Sequence, residues 1–98
     1  MTHFQVLSED RDEIVSVLIE LFIEKMADFD EIIMKECLEN FDKVISENTD
    51  EVARFPIFLQ SLVHLLFQMH SKYNPGGICN RILGKIKIIA QARLFNLN

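Results

Sequence analysis

The sequence predicts an all-α domain, built either as a four-helix bundle or as two stacked helical hairpins. Three observations carry that expectation. Four segments repeat their apolar residues at helical spacing, and no window shows the strict alternation of a half-buried strand. One strong breaker, Asn74-Pro75-Gly76-Gly77, separates the third segment from the fourth. Hydrophobic residues make up 49% of the chain, the opposite of the balance that disorder requires. Ninety-eight residues make a single domain over 1–98, near the lower end of sizes that fold without staples.

Residues 1–7 read as a loose N-terminal arm, with Phe4, Val6 and Leu7 as side chains able to dock. The first helix is expected over Glu9–Ala27. Ser8 suits the N-cap, and Glu9, Asp10, Asp12 and Glu13 suit the positive end of the helix dipole. At roughly 100° per residue, its apolar side chains from Ile14 to Met26 sweep well beyond half of the circumference. Only a strip through Glu13, Ser16, Glu20, Glu24 and Ala27 is polar. Such a helix is either central or has a second apolar partner.

A second helix is expected from near Asp28, where Asp28 and Glu31 have capping-box spacing. Its single apolar face holds Ile33, Met34, Cys37, Leu38, Phe41, Val44 and Ile45. A polar turn over Ser46–Asp50 follows, with Asn48 and Glu51 again at capping-box spacing. Proline is disfavoured inside a helix and favoured at its first position. Pro56 therefore predicts a short turn over Glu51–Phe55, then a third helix from Pro56 to about Lys72. The polar strip of that helix is narrow, so it should be the most buried. The fourth helix is expected from about Ile78 to Phe95.

The two hairpins start about forty residues apart, which invites comparison with HEAT or armadillo-type repeats. Asp-Glu-Ile at 12–14 and Asp-Glu-Val at 50–52 occupy similar places in the two halves.

Charge is the least ordinary feature. The formal net charge is −5, but all fifteen acidic residues lie between Glu9 and Glu51, beside four basic ones, a net of −11. From Val52 onward there is no acidic residue and six basic ones, a net of +6.

Signals for chemistry are sparse. His64 and His70 are six apart, and Cys37 and Cys79 stand alone on apolar faces. No zinc-ligand spacing therefore exists, and neither a metal nor any other cofactor is expected. No phosphate-binding glycine loop occurs, since Gly76-Gly77 lacks the Lys-Ser/Thr continuation. No nucleophile–base pair is specified, and an enzyme is not expected. Two cysteines and no secretory leader pattern suggest an intracellular protein, cytoplasmic or nuclear. The longest apolar stretch, Ile14 to Met26, is broken by Ser16, Glu20, Glu24 and Lys25, so no membrane association is expected.

The apolar excess points instead to a protein partner or a second copy of the chain. The side chains expected to contact it are Val17, Ile19 and Ile23 from the first helix, with Ile88, Leu94 and Phe95 from the fourth. Burying about 600 Å2 of such surface is worth about 15 kcal/mol before the costs of association. The alternative is nucleic acid, bound through Arg81, Lys85, Lys87 and Arg93. Those four charges spread around their helix, and they equally suit an acidic partner or the acidic first half of the fold.

Overall fold

The computed structural model describes the backbone of residues 8–96 and the side chains of residues 10–93. The arm expected over 1–7 lies outside the described residues. The rest is all-helical: α1 (Ser8–Lys25), α2 (Glu31–Glu47), α3 (Thr49–Val52), α4 (Pro56–His70) and α5 (Ile78–Asn96). Short 3-10 turns over Met26–Asp28 and Pro75–Gly77 join α1 to α2 and α4 to α5.

The helix ends follow from local chemistry, and two of them correct the expected caps. Asp30, not Asp28, caps α2: its Oδ1 accepts from the backbone N–H of Ile33 at 3.0 Å. The residues Met26–Asp28 form a 3-10 turn instead, which moves the helix start two residues on. Asn48 does not cap forward either. Its Nδ2 donates back to the Val44 carbonyl at 3.1 Å and closes the end of α2. Pro56 does open α4, after a single helical turn at Thr49–Val52, as its fixed φ and missing N–H favour. At the breaker, Gly76 and Gly77 adopt φ of 61° and 71°, a region where a side chain would be strained. Asn74 Oδ1 then accepts from the Cys79 N–H at 2.8 Å and starts α5.

Packing follows a simple order: α1 lies on α4, α4 on α5, and α5 on α2. The α1–α4 pair is parallel, because Asp12 meets Ile57 and Phe58, Ser16 meets Ser61, and Glu20 meets His64. The α4–α5 pair is antiparallel, with Pro56 at the Arg93 end and Val63 nearer Ile86. The overall extents are 41 × 34 × 19 Å, a slab with broad faces.

The core is built mainly from α4, which buries Phe58, Leu59, Ser61, Leu62, Leu65, Leu66 and Met69. Met34, Leu38 and Ile45 from α2 and Cys79, Ile82, Ile86 and Ile89 from α5 pack around it. Central burial of α4 agrees with its narrow polar strip. Among the described residues of α1, Ile19 is the hydrophobic one that is buried, with Phe22 and Ile23 half-buried and Met26 buried in the following turn.

Candidate docking surface

Helix α1 turns Asp12 and Ser16 toward α4, while Glu13, Glu20 and Glu24 of its polar strip stay exposed. Asp12 is only 4% exposed, and its two carboxylate oxygens accept from the N–H groups of Ile57 at 3.0 Å and Phe58 at 2.6 Å. The cause lies in the sequence at the head of α4. Phe55 has no side-chain acceptor, and Pro56 has no N–H, so the first free donors of α4 need a carboxylate from elsewhere. One turn further along α1, Ser16 and Ser61 share a 2.5 Å hydrogen bond; one turn beyond that, Glu20 lies 3.4 Å from His64 Nδ1. Ile19 is buried in the core on this side of α1, and Ile23 packs against it half-buried.

The consequence is an apolar ridge on the far side of α1. Ile14, Val17, Leu18 and Leu21 are 51%, 57%, 59% and 49% exposed. Their spacing of three, four and seven places them on one stripe, about half a turn from Asp12, Ser16, Ile19 and Ile23. Along one edge of the stripe run Glu13, Glu20 and Glu24, all exposed. Four large aliphatic side chains held side by side in water are the kind of patch that soluble proteins normally cover.

A second apolar feature lies between α4 and α5. Leu59 and Val63 from α4, with Ile86, Ile89 and Ala90 from α5, line an open groove of about 440 Å3, and Pro56 and Arg93 stand at one end. The groove lies on the side of α4 turned away from Ser61 and His64, hence away from α1. Arg93 is held there by a hydrogen bond from its guanidinium to the Ala53 carbonyl at 3.3 Å.

The side chains expected to bind a partner are thus divided. Val17 belongs to the ridge. Ile19 does not: it is 5% exposed and part of the core, because the α4-facing side of α1 needs an apolar residue between Ser16 and Ile23. Ile23 packs against that core, half-buried. Ile88 is 66% exposed, but its neighbours along α5 are Gly84, Lys85, Gln91 and Ala92, so it stands apart from other large apolar groups of its helix. Leu94 and Phe95 belong to α5 by backbone, and their side chains lie outside the described residues. Ile14, Leu18 and Leu21, which the sequence reading left unassigned, complete the ridge. The signal that could have found them was the uncapped Phe55-Pro56 head of α4, which draws Asp12 inward and so turns the opposite side of α1 outward.

The basic residues of α5 are mostly engaged within the fold. Lys85 Nζ lies 2.5 Å from Asp42 Oδ1 and 2.7 Å from Ser46 Oγ, and Arg81 Nη2 lies 3.7 Å from Asp42 Oδ2. With Arg93 turned to Ala53, Lys87 is the one of the four that stands exposed with no hydrogen bond or ion pair among the described residues, and no phosphate-tracking stripe forms. The acidic first half takes up part of the charge of the second.

Among the described residues, no group of three or more His, Cys, Asp or Glu side chains converges to hold a metal ion. No helix among them is long and apolar enough to cross a membrane. Both cysteines are free: Cys79 is fully buried with its thiol toward the Tyr73 carbonyl, and Cys37 is half-buried. Burial pushes the Cys37 thiol up to about 11 from 9.0, and raises that of Cys79 as well. The thiolate is the nucleophile, so Cys37 should alkylate about a hundredfold more slowly near pH 8 than a solvated thiol. Iodoacetamide labelling followed by peptide mass mapping measures this. The native rate should keep climbing toward pH 11, while the unfolded chain levels off near 9. A native rate that plateaus with the unfolded one would mean that the thiol is solvated.

No family model matches the chain, and no curated protein or solved structure is significantly similar to it.

Proposed function

We propose that this protein is a non-enzymatic docking module, which binds a protein surface through the apolar ridge on α1. One observation carries the reading: α1 faces α4 with Asp12 and Ser16 beside Ile19, and leaves Ile14, Val17, Leu18 and Leu21 facing water. A helix whose only task was to complete a monomer would do the reverse. Apolar side chains in such a stripe resemble half of an interface core, which a partner surface completes.

The order of packing supports the stacked-hairpin form of the fold over a closed bundle. Within the chain α1 runs parallel to α4 and packs on it, and α2 packs on α5, so the second hairpin repeats the placement of the first. Repeat arrays stack in this way, and their ends present apolar faces unless a capping repeat covers them. This favours an assembly role over nucleic-acid binding, since Arg81 and Lys85 are tied to Asp42.

The test is binding of a hydrophobic fluorescent dye to the wild-type chain and to Leu18→Asp. The ridge should bind dye, and the substitution should remove most of that signal while the far-UV circular dichroism stays unchanged. Dye binding that is absent from the wild type, or that ignores Leu18→Asp, would remove the ridge as a docking surface.

A further inference from the structure

Resting on that docking reading, we infer that the occupant of the α1 ridge is a second copy of this chain, stacked head to tail, with the ridge of one copy seated in the α4–α5 groove of the next. Three observations converge on this. The ridge lies on the side of α1 away from α4 and the groove on the side of α4 away from α1, so the two open on opposite faces of the α1–α4 pair. Each is apolar, and each is open.

The second observation is positional. Within one chain, α1 already lies parallel on α4, registered by Asp12, Ser16 and Glu20. An α1 from the next copy, laid over Leu59, Val63, Ile86 and Ala90, would continue the succession of helices with the opposite, ridge side of α1 in contact. The ridge supplies the side chains that such a groove lacks.

Charge provides the third argument, and it discriminates between arrangements. The ridge is edged by Glu13, Glu20 and Glu24, whereas the groove belongs to the half of the chain that has no acidic residue after Glu51 and carries Arg93 at the groove and Lys87 nearby on the same helix. Head-to-tail stacking therefore sets the acidic end against the basic end. An antiparallel two-fold pairing of two α1 helices does the opposite: like edges adjoin, so the glutamate edge meets its own copy. Opposite charge at the two ends also steers encounter into the head-to-tail orientation. Such a contact is heterologous, so it does not stop at two copies unless a ring closes.

The experiment uses the full chain and two variants, each blocking one end. Leu18→Asp places a charge on the ridge and leaves the groove intact. Ala90→Glu places a longer acidic side chain in the groove, at an exposed helical position, and leaves the ridge intact. Circular dichroism checks that both remain helical. In sedimentation, the wild-type mass should grow past that of a dimer as concentration rises, and the growth should weaken in high salt. Each variant alone should be monomeric, and the two mixed should form a one-to-one complex that grows no further, at least tenfold tighter than the self-association of either. A dimer abolished by Leu18→Asp but untouched by Ala90→Glu would mean two-fold pairing through α1 and would overturn head-to-tail stacking. A wild type that stays monomeric at every concentration would overturn it as well. If that monomer still binds dye through Leu18, the docking reading survives and the occupant is a different protein.

Discussion

Asp12→Ala should lower the unfolding free energy by about 2–4 kcal/mol, a large fraction of what a domain of this size possesses. Asp12 is the cap that α4 cannot provide for itself. Its carboxylate accepts two backbone N–H groups across forty-five positions of sequence, at 3.0 Å and 2.6 Å. A cap removed from an exposed helix costs about 1 kcal/mol. Here the acceptor is charged and 4% exposed, and its loss leaves two donors at the head of the most buried helix without partners. At about 4–8 °C per kcal/mol, the melting temperature should fall by roughly 8–32 °C. Asp12→Asn keeps one carbonyl acceptor and should recover part of the loss. Urea denaturation of the three proteins measures the series. A cost for Asp12→Ala below about 1 kcal/mol would mean that water replaces the carboxylate, and that α1 is not fastened to α4 at this point.

Ile19→Asp should destabilise the fold by about 3–5 kcal/mol, while Leu18→Asp, one residue away, should change stability by no more than about 1 kcal/mol. The contrast follows from one step of about 100° around α1. Ile19 is 5% exposed and packs into the core, so a carboxylate there would be buried without a partner. Leu18 is 59% exposed, so its replacement loses little burial and costs mainly helix propensity. Chemical denaturation of both variants separates the two faces without reference to any binding partner. Equal costs at the two positions would mean that α1 is rotated from the orientation described here, and the ridge with it.

Much of the fold could be read from periodicity alone. The helical content, the start of α4 at Pro56, the break at Asn74-Pro75-Gly76-Gly77 and the central burial of α4 all follow from side-chain pattern and backbone chemistry. These are local properties, and a single chain states them locally. The cap of α2 was misplaced by two residues because Asp28 and Asp30 are both competent acceptors, and only the 3-10 turn after Lys25 chooses between them.

The apolar ridge was legible only in part. The sequence shows that α1 has more apolar side chains than one face can use, and that acid and base are segregated between the two halves of the chain. It does not show which apolar residues face inward. Val17 and Ile19 look alike in composition, yet one is 57% exposed and the other 5%. Periodicity alone could not separate them, because apolar residues occur on both sides of α1. What settles the rotation of α1 is a long-range interaction: the donors at the head of α4 need a carboxylate, and Asp12 reaches them only if its own side of α1 turns inward. Helix formation, its breaks and its overall greasiness were thus determined by local sequence. The direction in which the first helix presents its surplus was decided by packing, since a contact between residues forty-five apart leaves no periodic trace in the chain.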